Sequence, residues 1–203
     1  MAMSSDPFTP VRSAAEVLRD FPAPWWIAGG WAIDLFVGGV TREHEDVEVA
    51  ILRKDQGPLW RQLRGWDLQR VPRGSESMVP WREVESIDPP DHEIHARREG
   101  GELRHLELLL NESSGGLWRF RRNPSIARPI DDVGSRSPDG VPFLVPEIVL
   151  LYKAKGTRPR DERDFETALP LLDRGQREWL SYALRACHPE HPWVSRLSGP
   201  ATS

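Results

Sequence analysis

The chain has 203 residues, which is enough for one domain of ordinary size with a small appendage. Hydrophobic residues make up 38% and charged residues 29%, and no apolar run approaches the ~20 residues that cross a bilayer, which excludes a membrane-spanning role. The formal net charge of -4 disfavours broad binding to a nucleic-acid backbone, so no nucleic-acid partner is expected.

The single cysteine, Cys187, has no partner for an internal disulfide. Residues 1–9 lack the basic and then apolar order of a secretory signal. Both observations predict a cytoplasmic protein. The sequence gives no indication of the oligomeric state.

The amino-terminal part predicts short helices alternating with strands. A capping box formed by Ser13 and Glu16 predicts a first helix that ends before Pro22. The elements expected next are a strand over 25–28, a helix over 31–37 that follows Gly29-Gly30 and ends at Gly38-Gly39, a strand over 45–52, a helix capped by Asp55 that runs to residue 63, and a strand over 67–71.

The remainder predicts more strands and then only helices. Residues 74–91 are loop-like, and 93–98 with 103–110 form a hairpin around the glycines of Glu99-Gly100-Gly101-Glu102. The later elements are strands over 117–121 and 141–145, followed by helices over 147–155, 161–172 and 175–187, the last capped by Asp173. The pattern predicts an α+β fold, with a mixed sheet and flanking helices over residues 10–145 and a C-terminal helical cap over 146–195.

Two acidic residues share one face of the predicted strand over 45–52. Val47, Val49 and Ile51 alternate with Asp46 and Glu48, so the two carboxylates project to the same side and can share a divalent cation. The alternative is a solvent-facing edge strand whose charges prevent edge-to-edge pairing.

A glycine pair precedes these acids by one helix. Gly29 and Gly30 open the helix that begins at Trp31, where free backbone N–H groups and the positive end of the helix dipole favour a phosphate. A phosphate cradle followed by an acid pair predicts a site for a metal-bound triphosphate. Positioning and charge neutralisation perform most of the catalysis in such a site.

Glu107 is the best candidate for a third carboxylate. It interrupts the apolar run of the second hairpin strand, and a two-metal site usually takes one more acid from a neighbouring strand. There it would bind metal or act as the base for an acceptor hydroxyl. Alternatively, Glu107 faces solvent between Leu106 and Leu108.

These residues resemble a known family. The segments Ile27-Ala28-Gly29-Gly30-Trp31-Ala32-Ile33-Asp34-Leu35-Phe36 and Thr41-Arg42-Glu43-His44-Glu45-Asp46-Val47-Glu48-Val49 are similar to the signature of the nucleotidyltransferase superfamily, in the branch of the aminoglycoside and lincosamide adenylyltransferases. A looser similarity continues through Glu107 and residues 146–155 to residues 160–165.

The resemblance implies a polymerase-beta-like core that uses Mg²⁺. It implies transfer of a nucleoside monophosphate, AMP if the donor is ATP, to a hydroxyl of a small molecule with release of pyrophosphate. By motif position, Gly29 and Gly30 would contact the triphosphate, and Asp46, Glu48 and Glu107 would bind metal and carry catalysis. The family's Asp-x-Asp is Asp46-x-Glu48 here, and the extra methylene strains the near-octahedral preference of Mg²⁺.

Four further residues have two interpretations each. Arg42 would steer a phosphate or lie in a solvated loop, and Lys153 would bind a phosphate or be a surface lysine. Asp161 and Asp164 are expected to form surface ion pairs or a helix start, and the alternative is a second metal site. A zinc site at His44 is not expected, because no His or Cys cluster accompanies it.

Two tryptophans and one acidic loop bear on the acceptor. Trp31 is expected in the core and Trp81 as a loop anchor, although either could stack on a ligand ring. Acidic residues in the long loop would attract a cationic aminoglycoside or form only a solvated connection. They are Glu76, Glu83, Glu85, Asp88 and Asp91.

Two other functions stay open from the sequence. A nucleotidyltransferase-fold protein that has lost turnover would act as a regulatory or antitoxin-like module on a macromolecular partner, as Asp46-x-Glu48 allows. A protein or RNA nucleotidyltransferase is the weaker alternative, which the basic patch at Arg119, Arg121 and Arg122 would serve.

Overall fold

The fold is a mixed β-sheet with helices packed around it. The computed structural model describes residues 6–75 and 77–198, so Glu76 of the acidic loop lies outside the described residues. The described strands are β1 (Trp25–Ile27), β2 (Glu48–Leu52), β3 (Asp67–Arg70), β4 (Val79–Pro80), β5 (Glu93–Arg97), β6 (His105–Ser114), β7 (Leu117–Arg119), β8 (Ala127–Pro129), β9 (Gly134–Arg136) and β10 (Pro142–Leu144). The described α-helices are α1 (Thr9–Val17), α2 (Gly29–Val37), α3 (Gln56–Gln62), α4 (Pro146–Lys153), α5 (Pro159–Ala168), α6 (Arg174–Cys187) and α7 (Trp193–Leu197).

Strand β2 lies in the interior of the sheet, between β6 and β1. The main strand order is β4-β3-β5-β6-β2-β1-β10-β9, and β7 and β8 extend from β6 as a second arm. The pairs β2–β6 and β1–β10 are parallel, whereas β1–β2 and β5–β6 are antiparallel. The expected α+β class with a mixed sheet is confirmed.

The edge-strand interpretation of the acid-bearing strand is wrong. Val49, Ala50, Ile51 and Leu52 are all buried, so both faces of β2 are covered beyond Glu48. The polar alternation is confined to the beginning of the strand. An acid pair at the end of an otherwise buried central strand requires a reason other than protection of an edge.

Helix α1 begins earlier than the sequence predicts. It starts at Thr9, because Pro10 in the first turn needs no hydrogen-bond partner for its nitrogen. Ser13, the predicted cap, is inside the helix, and its hydroxyl faces Glu102. The predicted end before Pro22 is confirmed, since the helix closes at Val17.

Helix α2 also starts earlier than predicted, at Gly29 itself. It ends as expected at Gly38, which adopts the left-handed conformation with φ 82°. Asp55 occupies the N-cap position of α3, but its side chain makes no capping hydrogen bond. Strand β2 begins at Glu48 instead of residue 45, although the carbonyl of Val47 still accepts from the Glu107 N–H at 3.0 Å.

The hairpin β5–β6 and the later helices agree with the prediction, with longer or additional elements. Strand β6 continues to Ser114 and β7 stops at Arg119. The short elements β4, β8, β9 and α7 were not predicted, because two to five residues are too few to establish a period. Asp173 caps α6 as expected, accepting from the N–H of Gln176 at 2.8 Å.

The sheet and the C-terminal helices share one hydrophobic core among the described residues. The boundary at residue 145 stays a prediction. No helix in residues 6–75 or 77–198 is long and apolar enough to cross a membrane. The cytoplasmic location also stays a prediction.

Replacing Leu108 by alanine should lower the free energy of unfolding by about 2–5 kcal/mol, because it leaves a cavity beside the β2–β6 ladder. Leu108 is fully buried and its backbone pairs with Val49. Urea unfolding measures the change. The matched control is Val84→Ala, at a side chain that is 94% exposed, and an equal loss in both variants would contradict the central position of β6.

Candidate active site

The parallel pairing of β2 and β6 brings two predicted acids side by side. Glu48 is the register partner of Glu107, and adjacent strands lie about 4.8 Å apart. Asp46, just before β2, lines the same cleft as Glu48 and Glu107, and its charge contributes to the raised pKa of Glu107. The structure therefore brings Asp46, Glu48 and Glu107 together, and Glu107 does not face open solvent.

The pKa values of Glu48 and Glu107 are both raised, first by burial and then by neighbouring acids. Burial and the charges of Glu48, Glu93 and Asp46 raise the pKa of Glu107 to about 8. Burial also raises the pKa of Glu48; the charge of Lys153 opposes this shift and that of Asp46 adds to it. The negative charge of Asp46, Glu48 and Glu107 therefore exceeds the positive charge that Lys153 places beside them.

Gly29 provides the space for the Glu48 side chain. Gly29 has φ +59°, and a Cβ atom built on it would overlap the Glu48 carboxylate. The backbone N–H of Ala28, the residue before α2, donates to the Glu48 carbonyl at 2.8 Å. The glycine thus brings the beginning of α2 directly against an acidic side chain.

Gly30 has an equally specific role. A Cβ on Gly30 would overlap the guanidinium of Arg42 and crowd the His44 ring. Arg42 lies there because its Nε and Nη2 donate to the two oxygens of Asp164 at 2.9 and 3.2 Å. The glycine pair is therefore required for packing, whatever it also does for a phosphate.

Asp34 and His44 form a brace that the sequence did not predict. Asp34 is buried; its Oδ1 accepts from the N–H and hydroxyl of Thr41, and its Oδ2 lies 2.6 Å from His44 Nε2. The His44 ring stacks on Trp31 at 4.2 Å, and Trp31 Nε1 donates to the Asp46 carbonyl at 3.0 Å. The brace fixes the backbone at Asp46. The sequence does contain a signal for this brace, because Asp34 is a charged residue in the middle of the apolar helix α2.

Lys153 and Arg42 are both paired with buried aspartates. Lys153 Nζ lies 2.9 Å from an oxygen of Asp161 and 2.9 Å from one of Asp164. Asp161 and Asp164 are about 1% exposed, so the expectation of surface ion pairs is wrong. The helix-start expectation is confirmed for Asp161, which accepts from the backbone N–H of Arg158 at the start of α5.

The surface interpretations of the two cations are also wrong. The side chains of Arg42 and Lys153 are only 17% and 9% exposed. Both line the cleft beside the acids. A phosphate contact by either stays a prediction.

The acids open into a cleft of about 490 Å³ between the sheet and the helices α4 and α5. Its floor runs along one face of β6 from Glu107 to Leu109 and Asn111. Its walls carry Arg121, Arg122, Lys155, Arg158 and Arg160. The cleft is large enough for a small-molecule ligand.

The described acids of the long loop do not line this cleft. Asp91 accepts from Arg70 Nη1 at 2.9 Å and from the N–H of Arg73 at 2.8 Å. Trp81, the predicted loop anchor, is buried, and its Nε1 donates to the Glu85 carbonyl at 2.9 Å. Trp31 lies in the core as expected. Among the described residues, this loop gives a cationic substrate no partner inside the cleft.

Carboxylate oxygens are the ligands that Mg²⁺ prefers, and a divalent cation would relieve the repulsion that raises the pKa of Glu107. The donor chemistry of the three acids therefore fits this ion. In the part of the chain that the structure describes, no three His, Cys, Asp or Glu side chains already converge on one ion position. Mg²⁺ needs only one or two of these carboxylates, because waters and substrate phosphates complete its six ligands.

Part of the sequence matches known proteins. Residues 10–70 match the family model described as aminoglycoside-2''-adenylyltransferase. A 2''-aminoglycoside nucleotidyltransferase of Escherichia coli is 47% identical over 36 residues, and one of Klebsiella pneumoniae gives the same figures. The match covers 18% of this chain and only 20% of the length of these curated relatives.

Solved structures extend the similarity to most of the chain. The solution structure of the antibiotic-resistance factor ANT(2'')-Ia has a TM-score of 0.54 at 19% identity, covering 89% of this chain and 90% of that one. The crystal structure of ANT(2'')-Ia with adenylyl-2''-tobramycin also gives 0.54, at 20% identity and coverages of 87% and 94%. The lincomycin-bound lincosamide adenylyltransferase LnuA gives 0.54 at 16% identity, with coverages of 78% and 93%.

The chain has the nucleotidyltransferase fold. The resemblance to the aminoglycoside and lincosamide adenylyltransferase branch is confirmed by the family match and by these structures. In the nucleotidyltransferase fold of this chain, β2 and β6 carry the acids and α2 begins beside them.

Replacing Asp164 by asparagine should destabilise the nucleotidyltransferase fold by about 3–5 kcal/mol, because it leaves Arg42 and Lys153 with an uncompensated buried charge. Burial opposes ionisation of Asp164, but the Arg42 hydrogen bonds and the charge of Lys153 outweigh it and lower its pKa. Stability from this group is therefore present above the pKa of an unfolded aspartate and is lost as the pH falls below it. Urea unfolding at pH 7 measures the loss.

The control for this variant is Glu178→Gln, which removes the exposed pair with Arg174 and should leave stability nearly unchanged. Equal stability of Asp164→Asn and the unaltered chain would mean that the Arg42–Asp164–Lys153 cluster does not hold the site together.

Replacing Glu107 by glutamine should stabilise the protein at alkaline pH. The folded-state pKa of Glu107, about 8, is above the usual range of a glutamate, so its protonated form favours folding and that stability is lost as the pH rises through 8. The difference between the variant and the unaltered chain should grow by at most about 1.4 kcal/mol per pH unit over that interval. Unfolding without divalent metal at a series of pH values measures it, and a pH-independent difference would contradict the raised pKa.

Proposed function

We propose that this protein is a metal-dependent nucleotidyltransferase that transfers a nucleoside monophosphate, AMP from ATP, to a hydroxyl of a small molecule. The observation that supports the proposal is the convergence of Asp46, Glu48 and Glu107 from β2 and β6 beside the beginning of α2. The reaction class is proposed by analogy with the adenylyltransferases that share this fold. The three acids are the groups of this chain that would bind the metal and accept the proton.

Asp46 and Glu48 would hold Mg²⁺. The bound ion supplies charge neutralisation at the triphosphate and polarises the phosphoryl oxygens of the reacting phosphate. The N–H groups of the first turn of α2, at Gly29 and Gly30, would face the same phosphates. Positioning by these groups accounts for most of the catalysis that such a site requires.

Glu107 would accept the proton of the acceptor hydroxyl. The acceptor oxygen forms a bond to the α-phosphorus, the bond from that phosphorus to the bridging oxygen breaks, and pyrophosphate leaves. A pKa of about 8 keeps Glu107 largely protonated at neutral pH until a cation lowers it. Activity should therefore rise with pH towards the mildly alkaline range.

The brace and the ion-pair cluster would keep the acids in place through the reaction. Trp31 and His44 fix the backbone of Asp46, and Lys153 is held beside Glu48 by Asp161 and Asp164. In these contacts the residues act by positioning, because Trp31 bonds the backbone carbonyl of Asp46 and Lys153 pairs with the two aspartates.

One observation favours the inactive alternative, a regulatory module without turnover. Within the described residues, no set of three potential ligands is preformed for a metal ion. The two proposals differ in whether the chain releases pyrophosphate from a nucleoside triphosphate in the presence of Mg²⁺ and an acceptor.

Replacing Asp46 by asparagine should reduce pyrophosphate release at least 100-fold, because it removes the charge that holds the metal, whose contribution is several kcal/mol. A coupled pyrophosphate assay with ATP, Mg²⁺ and a panel of hydroxylated acceptors that includes tobramycin and lincomycin measures the rate. The control is Glu45→Gln, at the exposed neighbouring acid whose nearest ion-pair partner, Arg160, is 3.8 Å away.

Glu45→Gln should retain activity, and both variants should melt like the unaltered chain. Full activity of Asp46→Asn would remove the metal assignment. No pyrophosphate release by the unaltered chain with any triphosphate and acceptor, together with no triphosphate binding by calorimetry, would favour the regulatory alternative.

A further inference from the structure

Two arginines in the cleft are not used by the reaction proposed above. Arg121 and Arg122 follow β7 and line the cleft at the far end of its floor from the metal-binding acids. Antiparallel pairing of Glu112 with Arg119 places the following residues beside Leu110 and Asn111 of β6. The distance along β6 from Glu107 to this point is three or four residues, or about 10–13 Å.

The backbone that carries these arginines is firmly held. Phe120, between Trp118 and Arg121, is fully buried and packs edge-on against Tyr152 at 4.9 Å. The Phe120 N–H donates to the Ile126 carbonyl at 2.9 Å. The two guanidinium groups therefore project from a fixed turn.

Both arginines lack an acidic partner in the described residues. Arg42 pairs with Asp164, Arg158 with Asp161 and Arg160 with Glu45, whereas neither Arg121 nor Arg122 forms an ion pair. These two are the cleft's unpaired guanidinium groups among residues 6–75 and 77–198.

Their hydrogen-bonding capacity is also largely unused. Arg122 Nη1 donates to the Tyr152 carbonyl at 2.8 Å, and its Cζ lies 5.4 Å from the centre of the Tyr152 ring. Arg121 approaches the same ring at 5.6 Å, and its side chain makes no hydrogen bond within the described chain. A guanidinium carries five N–H donors, so most of those on the pair are available to a ligand.

The two guanidinium groups are only partly compensated by negative charge. Burial lowers the pKa of Arg121, although the charges of Glu112 and Glu93 oppose this shift. Burial together with the charge of Arg121 lowers the pKa of Arg122. Tyr152 offers no compensating charge, because burial raises its pKa to about 12 and its hydroxyl stays neutral while it donates to Asn111 Oδ1 at 3.1 Å. A bound anion would offset both penalties.

We propose that Arg121 and Arg122 form the acceptor subsite, and that it takes a hydroxylated molecule carrying a phosphate or carboxylate at the end away from the reacting hydroxyl. The proposal rests on the proposed function, since it places the acceptor hydroxyl at Glu107. It excludes a polycationic aminoglycoside as the preferred acceptor, because the amino groups of such a molecule would face two unpaired guanidinium groups.

The triphosphate is the other possible source of the anion. It is assigned to the amino end of α2 and the metal-binding acids, which lie at the opposite end of the cleft floor. The acceptor phosphate therefore belongs at the arginines, and the experiment separates the two sources.

The test measures binding by the full chain at low ionic strength. Calorimetry with glucose 6-phosphate, glucose and glucosamine compares an anionic, a neutral and a cationic probe of the same ring. We expect glucose 6-phosphate to bind at least tenfold more tightly than the other two. In Arg121→Gln this preference should fall at least tenfold, while the affinity for a non-hydrolysable ATP analogue with Mg²⁺ should change less than twofold.

Arg119→Gln is the matched control and should keep the anionic preference. Arg119 is two residues away, and its guanidinium bonds Ser114 and the Pro124 carbonyl instead of lining the cleft. Thermal melting of both variants verifies folding.

Three results would overturn the subsite. They are an unchanged preference in Arg121→Gln, tighter binding of glucosamine than of glucose 6-phosphate, and a loss confined to the ATP analogue, which would assign the arginines to the triphosphate. Failure of the proposed function is a separate outcome: the chain would release no pyrophosphate, yet the arginine-dependent binding of the sugar phosphate would persist.

Discussion

The parallel pairing of β2 with β6 is the constraint on which the candidate site depends. It places Glu48 and Glu107 at the same level of the sheet, and Asp46 follows because the Glu107 N–H bonds the Val47 carbonyl. Burial and the repulsion between like charges at this spacing together raise the pKa of Glu107. The hydrophobic core beneath the strands holds the acids together despite this repulsion. Strongly shifted pKa values in a cleft are typical of a functional site.

A second constraint connects the C-terminal helices to the acids. Arg42 from the loop before β2 and Lys153 from α4 meet on Asp164 of α5, and all three side chains are largely buried. Breaking one member would leave a buried charge, so the cluster behaves as one unit. It fixes α4 and α5 as the wall of the cleft and keeps Lys153 near Glu48. The helical region therefore shapes the site, although it contributes none of the three acids.

The parts of the fold that could be predicted were those with a long period or a marked stop signal. Strand β2, the β5–β6 hairpin and α6 were predicted because alternation, paired glycines and the N-cap Asp173 each leave a distinct pattern. The acid triad was predicted because Asp46 and Glu48 share a face and Glu107 interrupts an apolar run.

The pairing of the strands was harder to predict, because it depends on long-range packing and the alternation of residues along one strand does not identify its neighbours. The same limit applied to Asp161 and Asp164, which look like surface charges until Arg42 and Lys153 are brought to them by the fold. Arg121 and Arg122 were noticed only as a basic patch, because a sequence does not reveal which cations lack partners.

The glycine pair and the unusual Asp46-x-Glu48 are parts of one arrangement. A glutamate at position 48 carries its carboxylate one methylene further than an aspartate would, and the additional reach ends against Gly29. Any side chain at position 29 would overlap that carboxylate, and the left-handed φ of +59° would be strained for it as well. Gly30 is constrained independently by Arg42, which Asp164 holds in place. The longer acid is therefore accommodated by the backbone that faces it. Glu48 differs from the second aspartate of the Asp-x-Asp pattern that this segment resembles, and the space at Gly29 accommodates its longer side chain.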